Sequence, residues 1–140
     1  MLIEIGHKSF IHMGCLFYHG VKIGNHSVIG RECHLLGNIV IKDNVSITAQ
    51  AYIFAASHYA NSKIFEAYYK QVVIDDYAWV GARAIIQPGV HVGVGAILGA
   101  GAVATKSIPP YEIFAGIPAK KIGVRDPDMN YTLNYSPYFQ

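Results

Sequence analysis

The chain has 140 residues, which is enough for one domain and too few for a cofactor domain beside a separate substrate domain. Apolar residues make up 52% and charged residues 14%, a balance that excludes a disordered chain. The net charge of +2, from 11 basic and 9 acidic residues spread along the sequence, gives no electrostatic footprint for nucleic acid.

The first residues, MLIEIGHKSF, lack the basic region, apolar run and cleavage site of a secretory signal. The longest nearly apolar stretch, Val92 to Ala104, contains four glycines and is shorter than the ~20 residues that a spanning helix needs. We therefore expect a cytoplasmic protein with no membrane span. The 18 Ile and 12 Val against 6 Leu favour strands over helices.

From Ile5 onward a large apolar residue returns at every sixth position. The first block of this repeat consists of Ile5, Ile11, Phe17, Ile23, Ile29, Leu35, Ile41, Ile47 and Ile53. A second, phase-shifted block consists of Ile74, Val80, Ile86, Val92, Leu98 and Ala104. The residue four places later is small or apolar, and Gly often follows the repeat position. A period of six fits neither a helix nor an alternating hairpin array.

Such a period predicts a solenoid of short parallel strands, in which three hexads close one triangular coil. The large residue points to the axis, and small residues allow the chain to bend at the corners. Fifteen hexads make five coils, roughly 24 Å tall at the usual spacing between strands. Cys15 and Cys33 are 18 residues apart and share a slot with Ala51, so we expect them to be small core residues in the reduced state.

The two phases are separated by fifteen residues, 59–73, with the sequence YANSKIFEAYYKQVV. Insertions in solenoids lie on one face and often carry function. This loop contains Asn61 and three tyrosines, and so much aromatic surface is expected to pack on a neighbouring subunit. His58 precedes it directly.

The hexads, together with three later motifs, resemble the left-handed parallel β-helix of the hexapeptide-repeat acyltransferases, in particular the sugar O-acetyltransferases of the maltose, galactoside and O-antigen type. The motifs are Trp79 to Ala82 (WVGA), Gly99 to Lys106 (GAGAVATK) and Ala115 to Ile122 (AGIPAKKI). The resemblance implies the left-handedness, a β-helix domain over 1–122, and a C-terminal extension over 123–140. Its tail, with Tyr131, Tyr135 and Tyr138, is weakly similar to the tails of surface-polysaccharide acetyltransferases.

The resemblance implies a homotrimer whose active sites lie between subunits and which transfers acetyl from acetyl-CoA to a hydroxyl of a sugar or polysaccharide precursor. It implies His58 as general base, Asn61 and Trp79 at the acceptor, and no metal. The residues implied for the cofactor are Trp79, Gly81, Ala82, Ala100, Thr105, Lys106 and Lys120.

These residue types suit the chemistry. Imidazole, with an unperturbed pKa near 6.5, accepts a hydroxyl proton at neutral pH. Ala82 and Ala100 let a thin pantetheine arm approach the backbone, and Lys106 and Lys120 suit its phosphates, with Lys121 and Arg125 as further cations.

Purely structural roles are the alternatives to these assignments. His58 could simply cap a corner, Trp79 could pack at a subunit interface, and most glycines could serve only as corner residues. If the loop is a pure insertion, His91 stacks one coil above His58 and disfavours its protonation. A histidine facing solvent is the alternative for His91.

Two other activities compete with sugar O-acetylation. The same site could acetylate an amino sugar. The γ-class carbonic anhydrases share the fold, and His7 and His12 have a similar spacing to their zinc ligands, but the third ligand is missing.

Overall fold

The computed structural model describes residues 3–134, and every regular element in that range is a β-strand. Most of the nineteen strands span only two or three residues. They are β1 Glu4–Ile5, β2 Phe10–Ile11, β3 Leu16–Phe17, β4 Val21–Ile23, β5 Val28–Ile29, β6 His34–Leu36, β7 Ile39–Ile41, β8 Ser46–Ile47, β9 Tyr52–Phe54, β10 Ala56–His58, β11 Ala67–Tyr69, β12 Val72–Ile74, β13 Trp79–Val80, β14 Ile85–Ile86, β15 His91–Val92, β16 Ile97–Leu98, β17 Val103–Ala104, β18 Glu112–Ala115 and β19 Lys120–Val124.

The strands form the three faces of a left-handed parallel β-helix. Face A contains β1, β4, β7, β12 and β15; face B contains β2, β5, β8, β13, β16, β18 and β19; face C contains β3, β6, β9, β14 and β17. Nine strands before the insertion and six after it make the five predicted coils, and β18 begins a sixth. The three edges of the prism are called here the A–B, B–C and C–A corners.

The core confirms the period of six. From Ile23 to Ala104 each repeat position is at most 4% exposed, and so are the partners four places later that lie in the coil. Only the first coil departs, because Ile5 is 52% exposed and Ile11 and Phe17 are half-buried. These three residues have coil on one side only.

The corners use the left-handed backbone region at the same place in successive coils. At the A–B corner Asn44 and Tyr77 have φ of 55° and 62°, and at the B–C corner Gln50 and Arg83 have φ of 61° and 57°. Glycine is required at Gly81 for another reason, since an added Cβ would collide with the backbone of the next coil.

The chain leaves the coil earlier than the repeat predicts. Hydrogen-bonded coil partners are 18 residues apart before the insertion and 33 apart across it, so the insertion is fifteen residues long, as expected. However, Val72 and Val73 pair with Ile39 and Val40 in face A, while Ser57 and His58 lie outside the coil. A shift of fifteen makes both pairs equivalent in the repeat, and the more apolar pair fills the coil.

The C-terminal part closes the upper end and then runs back down the A–B corner. After a turn containing the cis Ile117–Pro118 peptide bond, β19 pairs antiparallel with β18 and extends to Val124, past the expected boundary at 122. Residues 125–134, the C-terminal strap, follow: Leu133 N–H donates to Asn44 Oδ1 at 3.0 Å. Of the tail tyrosines, Tyr135 and Tyr138 lie outside the described residues.

Candidate active site

The insertion forms a β-hairpin that projects from the C–A corner. Strands β10 and β11 pair antiparallel, with Ser57 opposite Tyr68 and His58 opposite Ala67. Alternate residues of a strand point to opposite faces, so His58 shares a face with Ala56, while Ser57 and Tyr68 share the other. His58 is thus at the end of β10, beside the tip of the hairpin.

Phe65 makes two contacts with the His58 side chain. The Phe65 carbonyl oxygen lies 2.7 Å from His58 Nδ1, and the two rings stack with their centroids 3.7 Å apart and their planes at 12°. A carbonyl oxygen is only an acceptor, so Nδ1 carries the proton and donates it. In the neutral ring the lone pair is therefore on Nε2, which is the atom that can act as a base.

The tip of the hairpin is ordered by Ser62. Its Oγ accepts hydrogen bonds from the Glu66 N–H at 2.9 Å and the Ile64 N–H at 3.3 Å, and Tyr59 N–H donates to the Glu66 carbonyl. Asn61 is exposed in this tip, three residues after His58. Sequence reasoning missed Phe65 and Ser62, and only Ser62, a typical turn residue before an aromatic, gave a weak signal.

The expected stacking of His91 on His58 is wrong. His91 pairs with Val73 in face A, because Val73 occupies the coil slot that the repeat had assigned to His58. The His91 Nε2 lies 2.5 Å from Asp75 Oδ2, and the other Asp75 oxygen is 3.5 Å from Lys42 Nζ. The two histidines thus have opposite arrangements, since His91 donates from Nε2 to a carboxylate and His58 donates from Nδ1 to a carbonyl.

Ala82 and Ala100 lie one above the other at the B–C corner. The Gly101 N–H donates to the Ala82 carbonyl at 2.8 Å, and an added Cβ on Gly101 would meet nothing within 4 Å. Ala100 and Gly101 are exposed, so this corner presents a strip of open backbone, called here the alanine strip (Ala82, Ala100, Gly101). Gly81 is buried beside it, and both its N–H and its carbonyl bond within the coil, so its small size serves packing.

Thr105 and Lys106 are exposed at the C–A corner, above the hairpin, and Lys120 is exposed on β19 opposite Ala115. With the alanine strip they frame the upper part of face C, where Ile85 and Val103 stack. The alanine strip and the pair Thr105 and Lys106 therefore lie on the two corners that bound face C, one on each side.

The other two cations proposed for phosphate binding have partners within the chain. Lys121 Nζ is 2.9 Å from Glu112 Oε1. The Arg125 guanidinium donates to the carbonyls of Tyr77 and Gly95, at 2.8 and 3.3 Å, and stacks near Tyr131. Arg125 therefore anchors the C-terminal strap. Because its guanidinium is bound to these carbonyls, its position does not support the expected role in phosphate binding.

Trp79 lies on face B, on the other side of the alanine strip from face C. Its side chain is 46% exposed, and the indole Nε1–H donates to Thr48 Oγ1 at 3.1 Å, one coil below. Because Trp79 is on face B and His58 is on a hairpin at the opposite C–A corner, a single chain does not bring them together.

Two hollows flank the hairpin. The C-side hollow, of about 410 Å³, is lined by Phe54, Ser57, Tyr68 and Gln87, among others. The A-side hollow, of about 550 Å³, lies on the His58 side of the hairpin, and its walls are mainly apolar. They include Tyr18, Leu36, Asn38, Ala56 and Tyr69.

Metal and thiol chemistry have little support in the part of the chain that the structure covers. No group of three or more His, Cys, Asp or Glu side chains in residues 3–134 is arranged to hold a metal ion, and His7 and His12 belong to no such cluster. Burial raises the pKa of the Cys33 thiol to about 11, so it stays protonated. In the same range no helix is long and apolar enough to cross a membrane.

Comparison with known proteins agrees with the fold. The family profile described as the hexapeptide repeat of succinyl-transferase matches residues 71–106. The galactoside O-acetyltransferase of Escherichia coli is 28% identical over 143 residues, which cover 94% of this chain and 68% of that protein. Three further curated acetyltransferases match over a smaller part of their own length, 42% or less.

Solved structures give the same result. A hexapeptide-repeat acetyltransferase from Vibrio cholerae, solved with acetyl-CoA, has a TM-score of 0.76 and 27% identity, covering 88% of this chain and 72% of that one. AntD, an N-acyltransferase from Bacillus cereus, has a TM-score of 0.84 and 24% identity over 89% of this chain and 74% of its own, a likeness of fold alone. The motifs, the coil and these relatives agree that the chain is similar to the hexapeptide-repeat acetyltransferases.

Proposed function

We propose that the protein transfers acetyl from acetyl-CoA to a hydroxyl group of a sugar or surface-polysaccharide precursor in the cytoplasm. The observation that carries this proposal is the exposed His58 imidazole, whose Nδ1 donates to the Phe65 carbonyl at 2.7 Å and whose Nε2 is left as an acceptor. An imidazole held in one tautomer at the end of a projecting hairpin suits a general base.

In the reaction, His58 Nε2 takes the proton of the acceptor hydroxyl as its oxygen attacks the thioester carbonyl carbon. The new ester bond forms, the carbon–sulfur bond breaks, and the proton on His58 passes to the departing thiolate. Direct transfer of this kind needs no covalent enzyme intermediate. Backbone N–H groups in the groove are the expected donors to the oxyanion.

The upper part of face C suits acetyl-CoA as the donor. The alanine strip offers open backbone to a slim pantetheine arm, and Thr105, Lys106 and Lys120 are exposed groups with chemistry that suits phosphates. Lys106 and Lys120 make no ion pair with the described residues, whereas Lys121 pairs with Glu112 and Arg125 donates to two backbone carbonyls. Trp79, on the other side of the strip, is a candidate wall near the thioester.

The division of the site between corners supports a homotrimer. His58 is on one side of the hairpin, and the C-side hollow, which continues toward Ile85, is on the other. A base on one copy and a donor groove on the next would meet across an interface between copies. A three-sided coil also has no second layer of its own with which to cover its faces.

The acceptor is expected on the His58 side of the hairpin. Tyr18 and Tyr69 in the A-side hollow offer aromatic faces to a sugar ring, and Asn38 offers an amide. Asn61, exposed three residues from His58, is a second candidate contact for the acceptor. An amino sugar would present an amine to the same base, and N-acetylation is the alternative.

The experiment is release of free CoA thiol from acetyl-CoA with a panel of sugars and amino sugars. Acceptor-dependent release, with the ester or amide product identified by mass spectrometry, supports the proposal and separates O- from N-acetylation. Absence of release with every acceptor, from a folded protein that binds acetyl-CoA, would contradict it.

A further inference from the structure

We propose that Phe65 is the positioning residue for His58, and that it fixes both the tautomer and the plane of the imidazole. This inference deepens the proposed function and rests on it for its catalytic consequence. The tautomer itself is a property of the free protein and can be measured without substrate.

The first element is the backbone of Phe65. Its φ is +54°, in the left-handed region that a bulky side chain rarely adopts. In this conformation its carbonyl oxygen meets His58 Nδ1 at 2.7 Å. The corners of the coil use the same region at Tyr77 and Arg83, so the positive φ marks a tight turn, and in the hairpin this turn places the carbonyl on the imidazole.

The second element is the Phe65 ring. It is 71% exposed, so it contributes little to a core, yet it stacks on the imidazole at 3.7 Å and nearly parallel. A stacked ring restricts rotation of the imidazole about its χ2 angle and covers one of its faces. Together, the hydrogen bond and the stacked ring leave Nε2 as the ring nitrogen that can contact the acceptor substrate.

The third element holds Phe65 itself. Ser62 Oγ accepts from the N–H groups of Ile64 and Glu66, the two neighbours of Phe65 in the chain. The Phe65 carbonyl and the Glu66 N–H belong to the same peptide group, so the bond from Glu66 to Ser62 Oγ fixes the group that carries the acceptor. By contrast the neighbouring Ile64 is 83% exposed at the same tip and has no aromatic ring, so it supplies a matched control.

The test uses nitrogen-15 NMR of the imidazoles in the full-length protein, with His58 assigned by its loss in His58→Gln. We expect His58 to be protonated on Nδ1 in its neutral form. His91 is the internal reference, since its bond to Asp75 predicts a proton on Nε2. Phe65→Gly tolerates the positive φ and keeps the carbonyl, but it lacks the ring that holds the imidazole plane against that carbonyl. It should therefore loosen the hydrogen bond and give a mixture of His58 tautomers, while Ile64→Gly should not.

Turnover provides the second measurement. Phe65→Gly should lower kcat by about tenfold with little change in KM, because the base is present but poorly oriented. Phe65→Tyr, which keeps the ring, should restore kcat, and Ile64→Gly should match the parent. Unchanged tautomer and unchanged kcat in Phe65→Gly would overturn the inference.

The two proposals fail in different ways. If His58→Ala abolishes turnover while Phe65→Gly changes neither tautomer nor kcat, the positioning role is wrong and the base stands. If Phe65→Gly changes the tautomer but His58→Ala retains full turnover, His58 is not the base, and the catalytic part of this inference falls with the proposed function.

Discussion

The coil and the hairpin of this protein are built by opposite rules. In the coil, each residue repeats the environment of its partner one coil below, 18 positions earlier or 33 across the insertion, and the same slots are buried from Ile23 to Ala104. In the hairpin no contact repeats, and the groups that define it are local: His58 with Phe65, and Ser62 with Glu66. The repeat supplies a rigid scaffold with open corners, and the departure from it supplies the candidate base.

The largest difference between the two regions should appear in catalysis. His58→Ala should lower kcat by about 10³-fold, in line with the loss of a general base. His91→Ala, which removes the histidine of the coil, should change kcat by about twofold or less, because its ring faces Asp75 and not the hairpin. Steady-state thiol release measures both, and equal losses would contradict the division of roles.

Coil packing should be most sensitive where neighbouring coils approach most closely. An added methyl on Gly81 would collide with the Ala100 nitrogen and lie 2.7 Å from the Gly99 carbonyl carbon. Gly81→Ala should therefore cost about 3 kcal/mol of the free energy of unfolding. Gly101→Ala, with open space around the new methyl and a φ of +67°, should cost about 1 kcal/mol. Urea unfolding compares them, and equal costs would contradict this account.

A bulky side chain in the alanine strip should weaken the binding of acetyl-CoA but leave the free energy of unfolding nearly unchanged. Ala100→Trp should raise the KM for acetyl-CoA about twentyfold, or ~2 kcal/mol of binding, because it fills the proposed path of the pantetheine arm. Met13→Trp is the matched control, since Met13 is 85% exposed at the same corner in the first coil. A similar KM for both variants would remove the strip from the donor site.

A smaller effect is expected for the two lysines. Lys106→Gln and Lys120→Gln should each raise the KM for acetyl-CoA about fivefold at low salt and less at high salt. Neither should change the KM for acetyl-pantetheine, which lacks the nucleotide. Lys8→Gln, at an exposed lysine of the first coil, controls for net charge. An equal rise in the KM for acetyl-pantetheine would show that the two lysines do not bind the phosphates of the nucleotide.

The sequence predicted the coil because the repeat averages over many equivalent positions. Ile29, Leu35 and Ile47 all occupy the same buried position of the repeat. A wrong assignment at one such position is therefore corrected by the pattern of the others. The five coils, the buried slots and the length of the insertion were all predicted correctly. The place where the chain leaves the coil was wrong, because Ser57–His58 and Val72–Val73 are equivalent in the period.

An inserted loop could be predicted from the break in the repeat, but not its fold as a hairpin. Nothing in the period indicates that β10 and β11 pair, that Phe65 adopts a positive φ, or that its carbonyl meets His58. The position of Arg125 was also hidden, because its partners Tyr77 and Gly95 are 48 and 30 residues away in the chain. Local contacts of single residues have no repetition to reveal them.

The central claim is that the hairpin of one copy works on the donor strip of another, and subunit mixing tests it most directly. His58→Ala chains and Ala100→Trp chains are unfolded together and refolded as mixed oligomers, and activity is assayed at acetyl-CoA far below the KM, where each variant alone is nearly inactive. If sites are shared, random mixing pairs an intact hairpin with an intact strip in about one quarter of the sites and restores roughly that share of the parent activity. Mixed oligomers, verified by native mass spectrometry, that show no activity above that of the separate variants would contradict the account.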